Sequence, residues 1–209
     1  MADISIKSLY RAQELPERAK VSGWVRTARE SKSFAFIELN DGTFFKNLQI
    51  VCEEENLPGY KELMRQVGVG ASISAEGRIV ATPGMKQPFE LHADSLVVVG
   101  ETTPDYPLQK KRHSIEYLRT IAHLRPRTNL FQCVFRIRSI AAQAVHRFFH
   151  ERGFVYVHTP LITGSDCEGA GEMFQVTTLP LEKVPMTQDG AVNYDEDFFG
   201  KPVSLTVSG

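Results

Sequence analysis

The sequence predicts an all-β barrel over its first hundred residues, followed by a second domain that opens with a basic helix and the first part of a sheet. Three observations carry this. Five stretches rich in β-branched and aromatic residues follow one another before residue 101, each bounded by turn residues. A long amphipathic helical pattern then runs from Asn129 to Gly153. The net charge of −1 conceals a sharp asymmetry: 12 Lys+Arg against 15 Asp+Glu in residues 1–106, 10 against 2 in 107–152, and 2 against 8 in 153–209. A basic segment beside an acidic one points either to a polyanion partner or to a basic helix facing an acidic neighbour in the same fold.

The five predicted strands are residues 20–30, 33–40, 47–53, 72–82 and 88–100. Asn40-Asp41-Gly42 and Pro83-Gly84 supply turns between them. Between the third and fourth strands, LPGYKELMRQVG places Leu63, Met64 and Val67 at helical spacing. Five strands with a helix after the third is the order of an OB-fold barrel. Gly23 and Gly77 fall inside strands, where barrel corners and bulges use glycine.

Residues 102–118, TTPDYPLQKKRHSIEYL, are polar and basic and read as a linker. In the helix that follows, Val134, Ile137, Ala141, Val145 and Phe148 recur at steps of three and four, with Asn129 the expected N-cap and Gly153 the expected stop. FVYVHTPLIT (154–163) reads as a strand interrupted by Pro160, hence one at a sheet edge or an interface. The sequence stops at Ser208-Gly209 just after an apolar strand, which reads as a chain cut rather than finished.

Composition narrows the function classes. No stretch approaches the ~20 apolar residues of a membrane span, and the N-terminus lacks the apolar core of a signal peptide, so a cytoplasmic location is expected. Cys52, Cys133 and Cys167 are odd in number and form no CxxC pair, which argues for free thiols over disulfides or zinc.

Two features carry candidate chemistry. OB barrels hold single-stranded nucleic acid by stacking bases on aromatics and tracking phosphates with basic side chains. The second strand offers Phe34 and Phe36 on one face, with Arg26 and Arg29 on the strand before and Gln49 on the strand after. Pattern alone leaves open whether the two rings face outward or fill the barrel. The second feature is the loop SDCEGAGEMFQV, residues 165–176, whose charges Asp166, Glu168 and Glu172 are all negative. A phosphate loop would present backbone N–H groups and a lysine. An acidic glycine loop suits an ammonium group instead.

Taken together, VSGWVRTARESKSFAFIELNDG (21–42), RSIAAQAVHRFFHERGFVYVHTPLIT (138–163), SDCEGAGEMF and FFGKPVSLTVSG resemble the aspartyl, asparaginyl and lysyl subgroup of class II aminoacyl-tRNA synthetases. Within it, CEGAGEMF and the closing LTVSG resemble asparaginyl members; aspartyl relatives typically read Pro-Glu-Gly-Ala-Arg-Asp. The resemblance implies an OB-fold anticodon-binding domain (1–101), a hinge (102–118) and the truncated start of an α+β class II catalytic domain on an antiparallel sheet (119–209). It implies that Phe36 stacks on the central anticodon uracil, Gln49 hydrogen-bonds that base, Arg29 contacts the anticodon loop and Glu90 lies near the third anticodon base, while Phe34 is assigned to the core. Pro160, the centre of motif 1, would lie in a dimer interface. Glu168 would meet the α-ammonium of the amino acid, and Ser208 would line its pocket.

The activity implied is ATP-dependent activation of asparagine and its transfer to tRNA(Asn), in a homodimer with no membrane association. ATP and Mg²⁺ would serve the intact enzyme through motifs 2 and 3. Those motifs are not in these 209 residues, so no catalytic residue or metal ligand is expected within this chain, and no amino-acid activation from it alone. Two other readings stay open: a stand-alone tRNA-binding or dimerising module, and a non-discriminating aspartyl enzyme, against which Gly171-Glu172 argues.

Overall fold

The computed structural model describes residues 2–166, 169 and 172–207. Two compact units divide the chain, Met1–Ala142 and Gln143–Gly209. In the first, β1 (Arg18–Glu30), β2 (Phe34–Asn40), β3 (Leu48–Glu53), β4 (Ser72–Ala81) and β5 (Phe89–Gly100) close into a barrel in the order β1-β2-β3-β5-β4. Neighbours run antiparallel except β3 and β5, which are parallel. The five expected strands all form.

Alternation builds the core. Val21, Val25, Ile37, Leu39, Leu48, Ile50, Ile73 and Leu91 point inward and are no more than 1% exposed. Burying each such side chain stabilises the fold by about 1.5–3 kcal/mol. Cys52 sits among them, and burial pushes its thiol up to about 12, so it is a core side chain and not a nucleophile. The expected helix between β3 and β4 is α2 (Tyr60–Gln66), which drops Tyr60 and Met64 into the same core.

Two glycines are demanded by close backbone approach. A Cβ on Gly77 would lie 1.9 Å from the carbonyl oxygen of His92, at the register shift where β4 bulges against β5. A Cβ on Gly23 would lie 2.7 Å from the carbonyl oxygen of Asn40.

An N-terminal helix, α1 (Ile6–Arg11), was not expected from the sequence. Six residues are too few for a 3.6 period to show, and the helix is held from outside. The Asp41 carboxylate accepts from the Ile6 N–H at 2.7 Å, Thr43 Oγ1 accepts from the Lys7 N–H at 3.1 Å, and Ile6 and Leu9 enter the core. The segment read as a linker is also structured: it leads into α3 (Ile115–Thr120), capped by Ser114, and buries Leu108 and Leu118.

Next comes α4 (Asn129–His150). Asn129 is its first helical residue, and the cap is Thr128, whose Oγ1 accepts from the Phe131 N–H at 3.3 Å. Gly153 ends it with a φ of +82°, as a left-handed stop requires.

In the second unit, residues 154–161 do not form the expected strand. Pairing begins only at β6 (Ile162–Thr163), the edge of a small antiparallel sheet ordered β6-β8-β7 with β7 (Gln175–Val176) and β8 (Val203–Leu205). A strand needs a neighbouring strand for its N–H and C=O groups; here the Phe154 N–H turns back to the Phe149 carbonyl at 3.1 Å, and Leu161 accepts from the Thr206 N–H at 2.9 Å. Asp197 ties the acidic insert to the strand end by accepting from the hydroxyls of Thr177 and Thr178, and the Thr177 hydrogen bond holds its carboxyl below the usual carboxylate range.

Candidate nucleic-acid interface

The strand period decides which side chains meet solvent. On β2, Ala35, Ile37 and Leu39 are buried, so Phe34 and Phe36 project from the outer surface. Phe36 is 36% exposed and Phe34 39%, with ring centroids 5.4 Å apart and planes inclined by 74°. The assignment of Phe34 to the core is therefore corrected. Residues two apart on one strand share a face, and the interior is already filled by aliphatic side chains.

Register then collects the other candidates. Arg29 of β1 lies opposite Phe36, Val51 of β3 lies on its other side, His92 of β5 pairs with Val51, and Arg78 of β4 pairs with His92. Gln49, two residues from Val51, shares that face. Its Nε2 donates to Glu90 Oε1 at 2.8 Å, and Gln87 Nε2 donates to the same oxygen at 2.7 Å. His92 Nε2 lies 3.9 Å from Glu90 Oε2. The structure thus brings Arg29, Phe36, Gln49 and Glu90 onto one outer face. Sequence reasoning missed Gln87 and His92, although the alternation FELHAD already set Glu90 and His92 on one side of β5.

Chemically this face offers an apolar ring for stacking, a guanidinium for a phosphate, and an amide–carboxylate pair for a base edge.

Beside it, the first unit contains a cleft of about 1180 Å³ whose lining includes Arg26, Lys110, Lys111, Arg112, Arg127 and Arg136 and a single carboxylate, Glu38. Arg127 lies over the Trp24 ring at 4.5 Å, and Arg136 over Phe45 at 5.6 Å. Arg26 donates to the Arg127 carbonyl and Arg136 to the Gly42 carbonyl. Burial pulls the Arg26 guanidinium below its ordinary value, opposed by Tyr106 and Glu38. None of the six cations is in an ion pair among the described residues.

Residues 19–99 match the anticodon family described as an OB-fold nucleic acid binding domain, and residues 114–187 match the class II tRNA synthetases (D, K and N). The asparagine–tRNA ligase of Acetivibrio thermocellus is 62% identical over 98% of this chain and 44% of its own length. That of Clostridium novyi is 58% identical over 100% of this chain and 45% of its own. Over its length the chain is similar to the asparagine–tRNA ligases. It spans a little under half the length of these relatives. Its fold is that of the asparaginyl-tRNA synthetase of Pyrococcus horikoshii complexed with asparaginyl-adenylate, at a TM-score of 0.78 and 19% identity over 100% of this chain and 43% of that one. The Entamoeba histolytica asparaginyl-tRNA synthetase gives a TM-score of 0.72 at 21% identity, over 99% of this chain and 43% of that one.

Of the remaining residues singled out by the asparaginyl resemblance, Pro160 is exposed and lies two positions before β6. Glu168 and Ser208 lie outside the described residues. In the acidic loop, Asp166 Oδ1 accepts from the Gly169 N–H at 2.8 Å, and Gly169 adopts a φ of +64°. Cys52 and Cys133 are free thiols. Among the described residues no three His, Cys, Asp or Glu side chains converge as a metal site, and no helix is long and apolar enough to cross a membrane.

Proposed function

We propose that the barrel is the anticodon-binding module of an asparagine–tRNA ligase that activates asparagine with ATP and transfers it to tRNA(Asn). The observation that carries this reading is the outward Phe36 ring with Arg29 opposite it and the hydrogen-bonded Gln49–Glu90 pair on the same face. The ring takes the central anticodon base as a stacking partner, Gln49 meets its edge, and Arg29 meets the phosphate backbone. The cleft with six cations and one carboxylate is the electrostatic footprint of a polyanion, and it gives the tRNA backbone a path beyond the anticodon.

In the same reading the apolar face of α4 supports a homodimer, since Ile137, Ile140 and Val145 are all more than half exposed. Pro160 belongs to that interface, Glu168 and Ser208 to the asparagine pocket, and the protein works in the cytoplasm. Among the described residues no three His, Cys, Asp or Glu side chains converge where Mg²⁺ could be held.

The test is a titration of the 209-residue chain with a hairpin carrying the GUU anticodon, at several fixed salt concentrations. Phe36→Ala is expected to weaken binding by ~1–3 kcal/mol, the loss of one stacked base. Unchanged affinity on that substitution would remove the anticodon assignment.

A further inference from the structure

We infer that Glu90 is a positioning residue that locks the Gln49 amide in one of its two orientations, and thereby makes the site select uracil over cytosine at the base stacked on Phe36. This rests on the anticodon reading above and adds a specificity element to it.

A side-chain amide can be turned about its last torsion to exchange oxygen and nitrogen at little steric cost, and a free glutamine therefore presents either end. A carboxylate accepts and never donates. Gln49 reaches Glu90 Oε1 at 2.8 Å, so the end facing Glu90 must be the NH₂ group. Turning the amide over would set two acceptor oxygens against each other at that distance and abolish a charge-assisted hydrogen bond.

Glu90 cannot easily move away to relieve such a clash. It is 8% exposed, is paired with Val80 across β4–β5, and receives a second amide hydrogen bond from Gln87 at 2.7 Å. A carboxylate gripped from two sides is a rigid template for the glutamine that touches it.

With Nε2 committed to Glu90, Gln49 offers a base Oε1 as acceptor and its second N–H as donor. Uracil presents a donor at N3 flanked by a carbonyl acceptor, which matches both. Cytosine presents an acceptor at N3 beside an amino donor, which opposes both. A free amide would turn over and pair with either base; a locked one pairs with uracil only. Adenine, with an acceptor at N1, is rejected for the same reason. Guanine is not, because its N1–H and O6 repeat the uracil pattern, and ring size must exclude it.

The experiment compares hairpins identical except for U or C at the central loop base, titrated against the full 209-residue chain at one salt concentration. The wild-type chain is expected to favour U by about 10- to 100-fold, the discrimination of one good bidentate pair. Glu90→Gln replaces the carboxylate by a group that both donates and accepts, which frees Gln49 to turn. The U/C ratio should then fall several-fold, mainly through tighter binding of the C hairpin. A merely structural role for Glu90 would weaken both hairpins and keep their ratio.

An unchanged ratio in Glu90→Gln, or a parallel loss for both hairpins, overturns the lock and leaves the anticodon reading standing. Binding of neither hairpin by the wild-type chain overturns both. If Glu90→Gln fails to fold by its melting curve, Gln49→Leu, with Glu90 and Gln87 in place, must bring the ratio close to one. A preference for U that survives Gln49→Leu refutes the inference.

Discussion

Gly77→Ala provides a severe test of the barrel's construction. The added methyl would sit 1.9 Å from the His92 carbonyl oxygen, 2.7 Å from its carbonyl carbon and 2.8 Å from Ala93 Cα. All three are backbone atoms, so no side chain can swing away. Restoring ordinary van der Waals spacing requires β5 to retreat from β4 by roughly 1 Å or more, a shift that opens the ladder at the bulge and displaces His92 beside Glu90. Overpacking a well-filled site costs typically ~1–3 kcal/mol, and a clash with backbone belongs at the upper end, about 3 kcal/mol.

At ~4–8 °C per kcal/mol for a domain of this size, melting of the barrel should fall by about 12–24 °C. Trp24, the single tryptophan, lies on β1 and reports the barrel by fluorescence. Gly84→Ala is the control: its φ is +83°, with nothing within 4 Å of the new methyl. It carries only the left-handed strain of about 1–2 kcal/mol. A Gly77→Ala chain that melts within a degree or two of wild type would refute the close-approach argument.

The other expectations can be measured on the same protein. Replacing Lys110, Lys111 and Arg112 together by alanine should flatten the salt dependence of tRNA binding by about 0.9 in slope for each phosphate that is no longer neutralised, without changing discrimination between anticodons. An unaltered slope would place the tRNA backbone elsewhere. The Cys52 thiol should resist alkylation at about pH 8 until the barrel unfolds. Because its folded value is raised from 9.0 to about 12, the neutral thiol favours the folded state, and the pH dependence follows from that sign. A raised folded value means that the contribution is present in full below the unfolded value, about pH 9, and is lost as pH rises from there toward about 12. A Cys52→Ser chain should therefore show a shallower alkaline loss of stability than wild type.

Much of the architecture was legible because period-two alternation is a local property. Val21, Ile37, Leu39 and Ile50 sort inward from their strand positions alone, and Asn40-Asp41-Gly42 and Pro83-Gly84 mark where the chain turns. Elements that escaped were those stabilised from a distance. Helix α1 depends on Asp41 and Thr43, 35 and 36 positions along the chain from the N–H groups they hold. Residues 154–161 are apolar and β-prone, yet a strand exists only where a partner strand is present.

The candidate site divides along the same line. The sequence by itself determined which chemistry was available: an aromatic pair on β2, arginine before it, glutamine after it, a glutamate on β5, and a family resemblance that named them together. Only the tertiary structure decided that Phe34 faces out with Phe36, because the core volume was already taken. It also decided that Gln49 reaches Glu90 across the parallel β3–β5 pairing that closes the barrel. That hydrogen bond joins residues 41 positions apart. Its direction follows from which group can donate, a constraint that exists only once the two side chains meet.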